Sequence, residues 1–137
     1  MSLLSTKGMY GLGAMYQLFL AKSNKPLQIK EISARAEIPQ NYLEQLLILL
    51  RQAGLVTSVR GAYGGYLLAK NPEDILIKDI LIALEGNLLV IDADIKDPVL
   101  KMFYEESNAK IQEIFRLPLS EFEVYSQRLN YQLTFFI

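Results

Sequence analysis

The 137-residue chain has no cysteine, no histidine and no tryptophan. Without thiols it can form no disulfide, no thiolate nucleophile and no Cys-ligated iron–sulfur cluster. Without imidazole the Ser-His-Asp and Cys-His catalytic sets cannot be built, and the common zinc sites lose both preferred ligands. A metal would have only carboxylate and carbonyl oxygens, which suit magnesium or calcium, and no carboxylate spacing here forms a loop for either. No cofactor is expected. Glu105 and Glu106 are neighbouring carboxylates, but adjacent positions diverge on a helix. No nucleophile–base pair is evident, so the chain reads as a non-enzyme.

Long hydrophobic runs are also missing. No stretch of eighteen apolar residues occurs, so no membrane-spanning helix is expected. The N-terminus has an amphipathic pattern without a signal-peptide layout and cleavage site, which makes the cytoplasm the expected compartment. Net charge is small, −1, but it is divided unequally. Residues 1–70 hold eight Lys/Arg against three Glu, a net of +5; the remainder holds six basic against twelve acidic groups, a net of −6. A basic half joined to an acidic half hints that the first meets nucleic acid.

What the chain does have is concentrated between Leu43 and Lys70. Leu43, Leu46, Leu47 and Leu50 recur at helical spacing and stack on one face. At about 100° per residue, Asn41, Glu44, Gln45 and Ile48 gather on the opposite face. In a major groove, Glu can accept from cytosine N4, Gln and Asn can pair with adenine, and an aliphatic tip can touch a thymine methyl. An ordinary solvated helix face would carry similar residues. The sequel favours the groove: Gly54 is a good left-handed stop, and two strand-like runs follow, Leu55 to Val59 and Tyr66 to Ala69. Between them lies Arg60-Gly61-Ala62-Tyr63-Gly64-Gly65. Its glycines let the tip bend and bring backbone N–H groups near a phosphate, and Arg60 is positioned for a narrow minor groove. A nucleotide-binding loop would need a following helix and a terminal Gly-Lys-Ser/Thr, and neither is present.

The flanking segments complete a winged helix-turn-helix. Ser5 and Thr6 can cap a helix running to about Lys22, and Asn24-Lys25-Pro26 forms a turn. Ile29, Ile32 and Ala36 mark a short helix. Glu37 to Gln40 turns into the probe helix, with Pro39 at its start. Ile75, Ile77, Ile80, Leu81 and Leu84 predict a helix over 74–84, ended by Gly86. Residues 87–97 form an acidic, apolar connector, and Pro98 opens a long helix. Leu100, Phe103, Tyr104, Ile111, Ile114 and Phe115 lie on its broad apolar stripe with Val99, suited to a partner helix or to packing on the winged domain. Ser120 and Glu123 predict a capping box for a short last helix.

Ser5-Thr6-Lys7-Gly8, Tyr42-Leu43-Glu44-Gln45-Leu46, Gly54-Leu55-Val56, Ser58-Val59-Arg60-Gly61 and Gly64-Gly65-Tyr66-Leu67-Leu68 together resemble the Rrf2 family of bacterial winged-helix transcription regulators. The resemblance covers most of residues 1–86, and residues 87–137 match in general plan. It implies a homodimer whose long helices cross over a pseudo-palindromic double-stranded DNA operator. The DNA-contacting set is then Lys7, Tyr10, Asn41, Tyr42, Glu44, Gln45, Ile48, Arg51, Ser58, Arg60, Gly61, Tyr63, Gly64 and Gly65. Lys7 and Tyr10 would hold phosphates, and Arg60 the minor groove. Family members that carry a cluster place Cys in the connector after Glu85-Gly86; this chain has none. Met9 replaces a common Arg, and Ile48 a small polar residue.

The wing tip, the Leu84-Glu85-Gly86 helix end and the aromatic tail look most like the family's cysteine-metabolism repressors, whose C-terminal Ile enters a cysteine synthase. Phe135, Phe136 and Ile137 would be the partner-binding tail, since a free carboxylate on a short apolar tail suits capture by backbone amides. Packing of that tail on its own dimer is the alternative. The expected fold is mainly α with a small β-hairpin wing: a winged helix-turn-helix domain (1–86), then a connector, dimerisation helix and C-terminal tail (87–137). The expected function is a dimeric, sequence-specific DNA-binding regulator, a repressor of sulfur or redox genes. An interaction adaptor that keeps the fold but no longer reads DNA is the alternative.

Overall fold

A computed structural model describes residues 2–22 and 25–135. The fold is mainly helical with one two-stranded antiparallel hairpin, as the sequence pattern predicts. Helix α1 spans Thr6–Ala21, α2 Ile29–Ala36 and α3 Gln40–Gln52. Strands β1 (Val56–Val59) and β2 (Gly65–Leu68) pair with Val56 opposite Leu68 and Val59 opposite Gly65. Then come α4 (Ile77–Glu85), α5 (Pro98–Ile114) and α6 (Glu121–Phe135).

The buried stripe of α3 organises the core. Leu43, Leu46, Leu47 and Leu50 are each at most 1% exposed and meet Met15, Ile32, Val56 and Ile80 from the surrounding elements. Truncating one such leucine to alanine costs about 2–5 kcal/mol. Helix α4 crosses α1 closely because two positions on α1 lack a side chain. A Cβ at Gly8 would lie 2.5 Å from Glu85 Oε1, and one at Gly11 would overlap the Leu84 methyls.

Three sequence expectations need correction. The helix expected over 74–84 starts only at Ile77. Pro72–Asp74 forms a single tight turn, and Ile75-Leu76 is extended because it pairs with the returning chain: Leu76 bridges Pro118, and Ile75 O accepts from Leu119 N at 2.7 Å. The last helix is not short but fifteen residues long. The Glu123 carboxylate, expected in a capping box, instead reaches Lys22 Nζ at 3.5 Å.

The connector leaves the domain after Gly86, yet the chain re-enters it after α5. Leu119 is fully buried in the main core, while Phe115 and Leu117 pack on a second cluster of Ile77, Leu81 and Leu88. Among the described residues, no helix is long and apolar enough to cross a membrane.

Candidate nucleic-acid interface

Helix α3 presents Asn41, Glu44, Gln45 and Ile48 to solvent along one face, with its leucines turned inward. Thirteen residues make a rod about 20 Å long, a length and width that a major groove accepts. Pro39 starts the helix, and Ile38, 2% exposed, anchors the turn before it.

Tyr42 ties the start of α3 to the start of α1. Its ring meets Tyr10 edge-on at 5.8 Å between centroids, and its hydroxyl lies 3.3 Å from Thr6 Oγ1. Lys7 and Tyr10 therefore ride on the same rigid junction as the probe helix. The first turn of α1 is itself fixed: Ser5 Oγ accepts from Lys7 N, while Glu85 Oε1 accepts from Ser5 N, Ser5 Oγ and Gly8 N at 2.8–2.9 Å.

The other end of α3 joins the wing. Arg51 Nη1 donates to Ser58 Oγ at 3.5 Å, and Arg51, Ser58, Val59, Arg60, Gly61, Gly64 and Gly65 share a groove with Gln28, Ile29 and Lys30. The hairpin tip is locked as well as bent. Gly64 is buried, its N–H donates to Gly61 O at 3.0 Å, and any Cβ there would strike the Val59 carbonyl. Gly64 thus shapes the tip, and its amide is already occupied. Gly61 and Gly65 both hold positive φ, where a side chain is strained. Arg60 and Tyr63 are exposed, Tyr63 almost fully at 93%.

A third segment braces the wing. Leu27 and Tyr66 exchange both backbone hydrogen bonds (3.0 and 2.7 Å), and Gln28 Nε2 donates to Ala62 O at 3.4 Å. Gln28 also forms a capping box with Glu31 at the start of α2. Gln28 and Lys30 were absent from the sequence-based set. The Gln28-x-x-Glu31 spacing marks that helix start and could have suggested them.

Electrostatics agree with the geometry. Among the described residues, Lys7, Lys30, Arg51 and Arg60 are in no ion pair, whereas Arg35 is held by Glu31 at 3.4 Å on another face. Three of these cations, Lys30, Arg51 and Arg60, line one groove, an arrangement that suits a polyanion. Glu44 is the one acidic side chain on the exposed face of α3.

Away from this surface, α5 and α6 bury none of their residues. Leu100, Phe103 and Ile114 are more than half exposed, as are Leu129, Tyr131 and Phe135. Tyr104 meets Phe103 edge-on at 5.2 Å between centroids, and Ile111 is half-buried; Phe115 turns away into the cluster beside α4. Met9 lines an apolar groove between α1 and α6 with Leu12, Tyr16, Tyr125 and Leu129. Of the expected tail, Phe135 lies within α6, its ring tilted against that of Tyr131 at 6.2 Å between centroids. Phe136 and Ile137 fall outside the described residues. Among the described residues no cluster of acidic side chains could hold a metal ion.

Comparison with known proteins bears on the same residues. The family model Rrf2, described as an iron-dependent transcriptional regulator, matches residues 4–128. The transcriptional regulator CymR of Bacillus subtilis is 44% identical over 89 residues, which cover 65% of this chain and 64% of CymR. The regulator IscR of Cereibacter sphaeroides is 46% identical over 84 residues, 60% of this chain and 54% of IscR. These matches thus span less than two thirds of the curated relatives' length. Among solved structures, B. subtilis CymR, described as the global cysteine regulator, superposes with a TM-score of 0.80 at 35% identity, covering 91% of this chain and 98% of that one. T. potens IscR gives a TM-score of 0.76 at 40% identity over 90% of this chain and 87% of its own.

Proposed function

The chain belongs to the Rrf2 family of transcriptional regulators, and from that premise we propose that it is a homodimeric, sequence-specific DNA-binding regulator, acting as a repressor. The observation that carries the reading is the continuous surface from Lys7 and Tyr10, across the exposed face of α3, to Arg51, Ser58 and the Arg60 wing. Asn41, Glu44, Gln45 and Ile48 read the major groove, Arg60 enters the minor groove, and Lys7, Tyr10, Tyr42, Arg51 and Lys30 face phosphates. Gly61, Tyr63, Gly64 and Gly65 shape and present the tip. Such a role implies a cytoplasmic protein without catalytic activity.

Dimerisation follows from the apolar side chains that α5 and α6 leave in water. Contiguous patches of this kind on a small domain mark an interface, and Leu100, Phe103, Tyr104, Ile111 and Ile114 supply it. Residues 1–86 then serve as the DNA-binding part and 87–137 as the assembly part, with Phe115 to Phe122 linking them. Two copies related by a twofold axis match a pseudo-palindromic operator.

The likeness to a cysteine regulator supports control of sulfur metabolism, with Phe135, Phe136 and Ile137 presented to a cysteine synthase. Binding sites selected from random DNA, with and without a cysteine synthase present, test both parts. A selected motif with twofold symmetry supports the regulator. Recovery of no motif refutes it, and unchanged synthase binding after deletion of Phe136-Ile137 removes the tail's role.

A further inference from the structure

The hairpin is anchored at its base by the segment before α2. Leu27, 8% exposed, exchanges two backbone hydrogen bonds with Tyr66. Gly65 packs so tightly on this segment that a Cβ there would overlap Leu27 O and lie 2.9 Å from Gln28 N. The strand ladder ends at the pair Val59–Gly65, so residues 60–64 project beyond it. Within that projection the Gly64 N–H closes a turn on Gly61 O at 3.0 Å. Gln28 reaches past the ladder to this turn, where its Nε2 donates to Ala62 O at 3.4 Å.

The same amide has a second engagement. A primary amide carries an acceptor oxygen and a donor nitrogen, and Gln28 uses both. Its oxygen accepts from the backbone N–H of Glu31 in the capping box of α2, and its nitrogen donates to the tip. One side chain thus joins the start of α2 to the end of the wing. Glutamine is not among the favoured N-cap residues, which are Ser, Thr, Asp and Asn. Each of those caps a helix as well or better, but all are too short to reach Ala62. The length of Gln28 serves the wing, not the helix.

We propose that Gln28 is a positioning residue for the wing: its amide fixes the angle of the tip, and so how narrow a minor groove Arg60 selects. A guanidinium is drawn most strongly into a narrow, A·T-rich groove. A tip held in one pose presents Arg60 at one depth and favours that width. A tip free to swing lets Arg60 follow wider grooves, and the preference falls. The effect on DNA rests on the DNA-binding reading above; the hold on the tip does not.

Gln28→Asn separates the two engagements. Asn is a favoured N-cap, so α2 keeps its start, but it is one methylene shorter and cannot span to Ala62. In the full chain without DNA, hydrogen exchange at the Gly64 amide is expected to quicken on the order of two- to tenfold, the worth of one hydrogen bond, with a urea midpoint no lower than the parent's. In binding sites selected from random DNA, the variant is expected to lose A·T preference at the wing-facing positions and to keep the bases chosen by α3. An unchanged Gly64 rate overturns the hold on the tip, and an unchanged A·T preference overturns its role in groove choice. A parent chain that selects no motif refutes the DNA-binding reading instead, and the Gly64 rate still decides the hold.

Discussion

Glu85, the last residue of α4, caps the start of α1 through Ser5, 80 positions earlier in the chain: its Oε1 accepts from both the backbone N–H and the hydroxyl of Ser5 at 2.8 Å. Gly8 N adds a third bond at 2.9 Å. The carboxylate also sits at the positive end of the α1 dipole. One side chain therefore fixes the turn that holds Lys7. Glu85→Ala leaves those donors to water and is expected to destabilise the fold by about 1–2 kcal/mol, read as a lower urea midpoint. Glu85→Gln keeps an acceptor oxygen and loses less.

Arg60 and Glu44 are expected to fail in different ways. Arg60→Ala removes a cation at the wing and lowers operator affinity, with the salt dependence shallower by about 0.9 if one phosphate contact is lost. Glu44→Ala removes a base acceptor and relaxes preference at one position by about 1–3 kcal/mol of discrimination. Competition binding with single-base operator variants separates them. An unaltered base preference in Glu44→Ala would remove that residue from the reading set.

Gly64→Ala is a test of the wing alone. An added Cβ meets backbone on three sides, the nearest being the Val59 carbonyl, so the tip must open. Operator affinity is expected to fall while thermal stability changes little, since the core leucines lie elsewhere. An affinity equal to that of the parent chain would mean that the tip does not touch DNA.

Phe103 is 60% exposed and Leu100 52%, so a charge at either position costs the folded subunit little. Phe103→Asp is expected to shift sedimentation from dimer to monomer and to cut operator affinity with it, because two half-sites no longer bind together. A dimer that persists would assign the interface to other residues.

How much of this was readable in advance follows from how local each cause is. The α3 leucines, the Ser5 cap, the Gly54 stop and the paired strands are set by neighbours within a few residues, so spacing alone revealed them. The Glu85–Ser5 contact joins the ends of two helices brought together by packing, and no local pattern marks it. Ile75-Leu76 reads as helix by periodicity, but pairing with 117–119 holds it extended. Phe115 falls on the same helical stripe as Phe103, yet the helix ends at Ile114 and lets Phe115 turn into the domain. Met9 stands where a common Arg would be in the resembling family; it lines an apolar groove against α6. For the proposed interface, the exposed face of α3 and the hairpin tip were legible from chemistry and spacing. Gln28 and Lys30 were marked only as a helix start, because their place beside the wing comes from the Leu27–Tyr66 bridge and the Gln28–Ala62 bond.

The most direct measurement is equilibrium binding of the purified chain to a duplex selected by it and to a scrambled duplex, at two salt concentrations. The account predicts one dimer per selected duplex, an affinity at least about 10³-fold above the scrambled control, and a fall with salt set by several neutralised phosphates. A monomeric complex, or equal affinity for both duplexes, would contradict it.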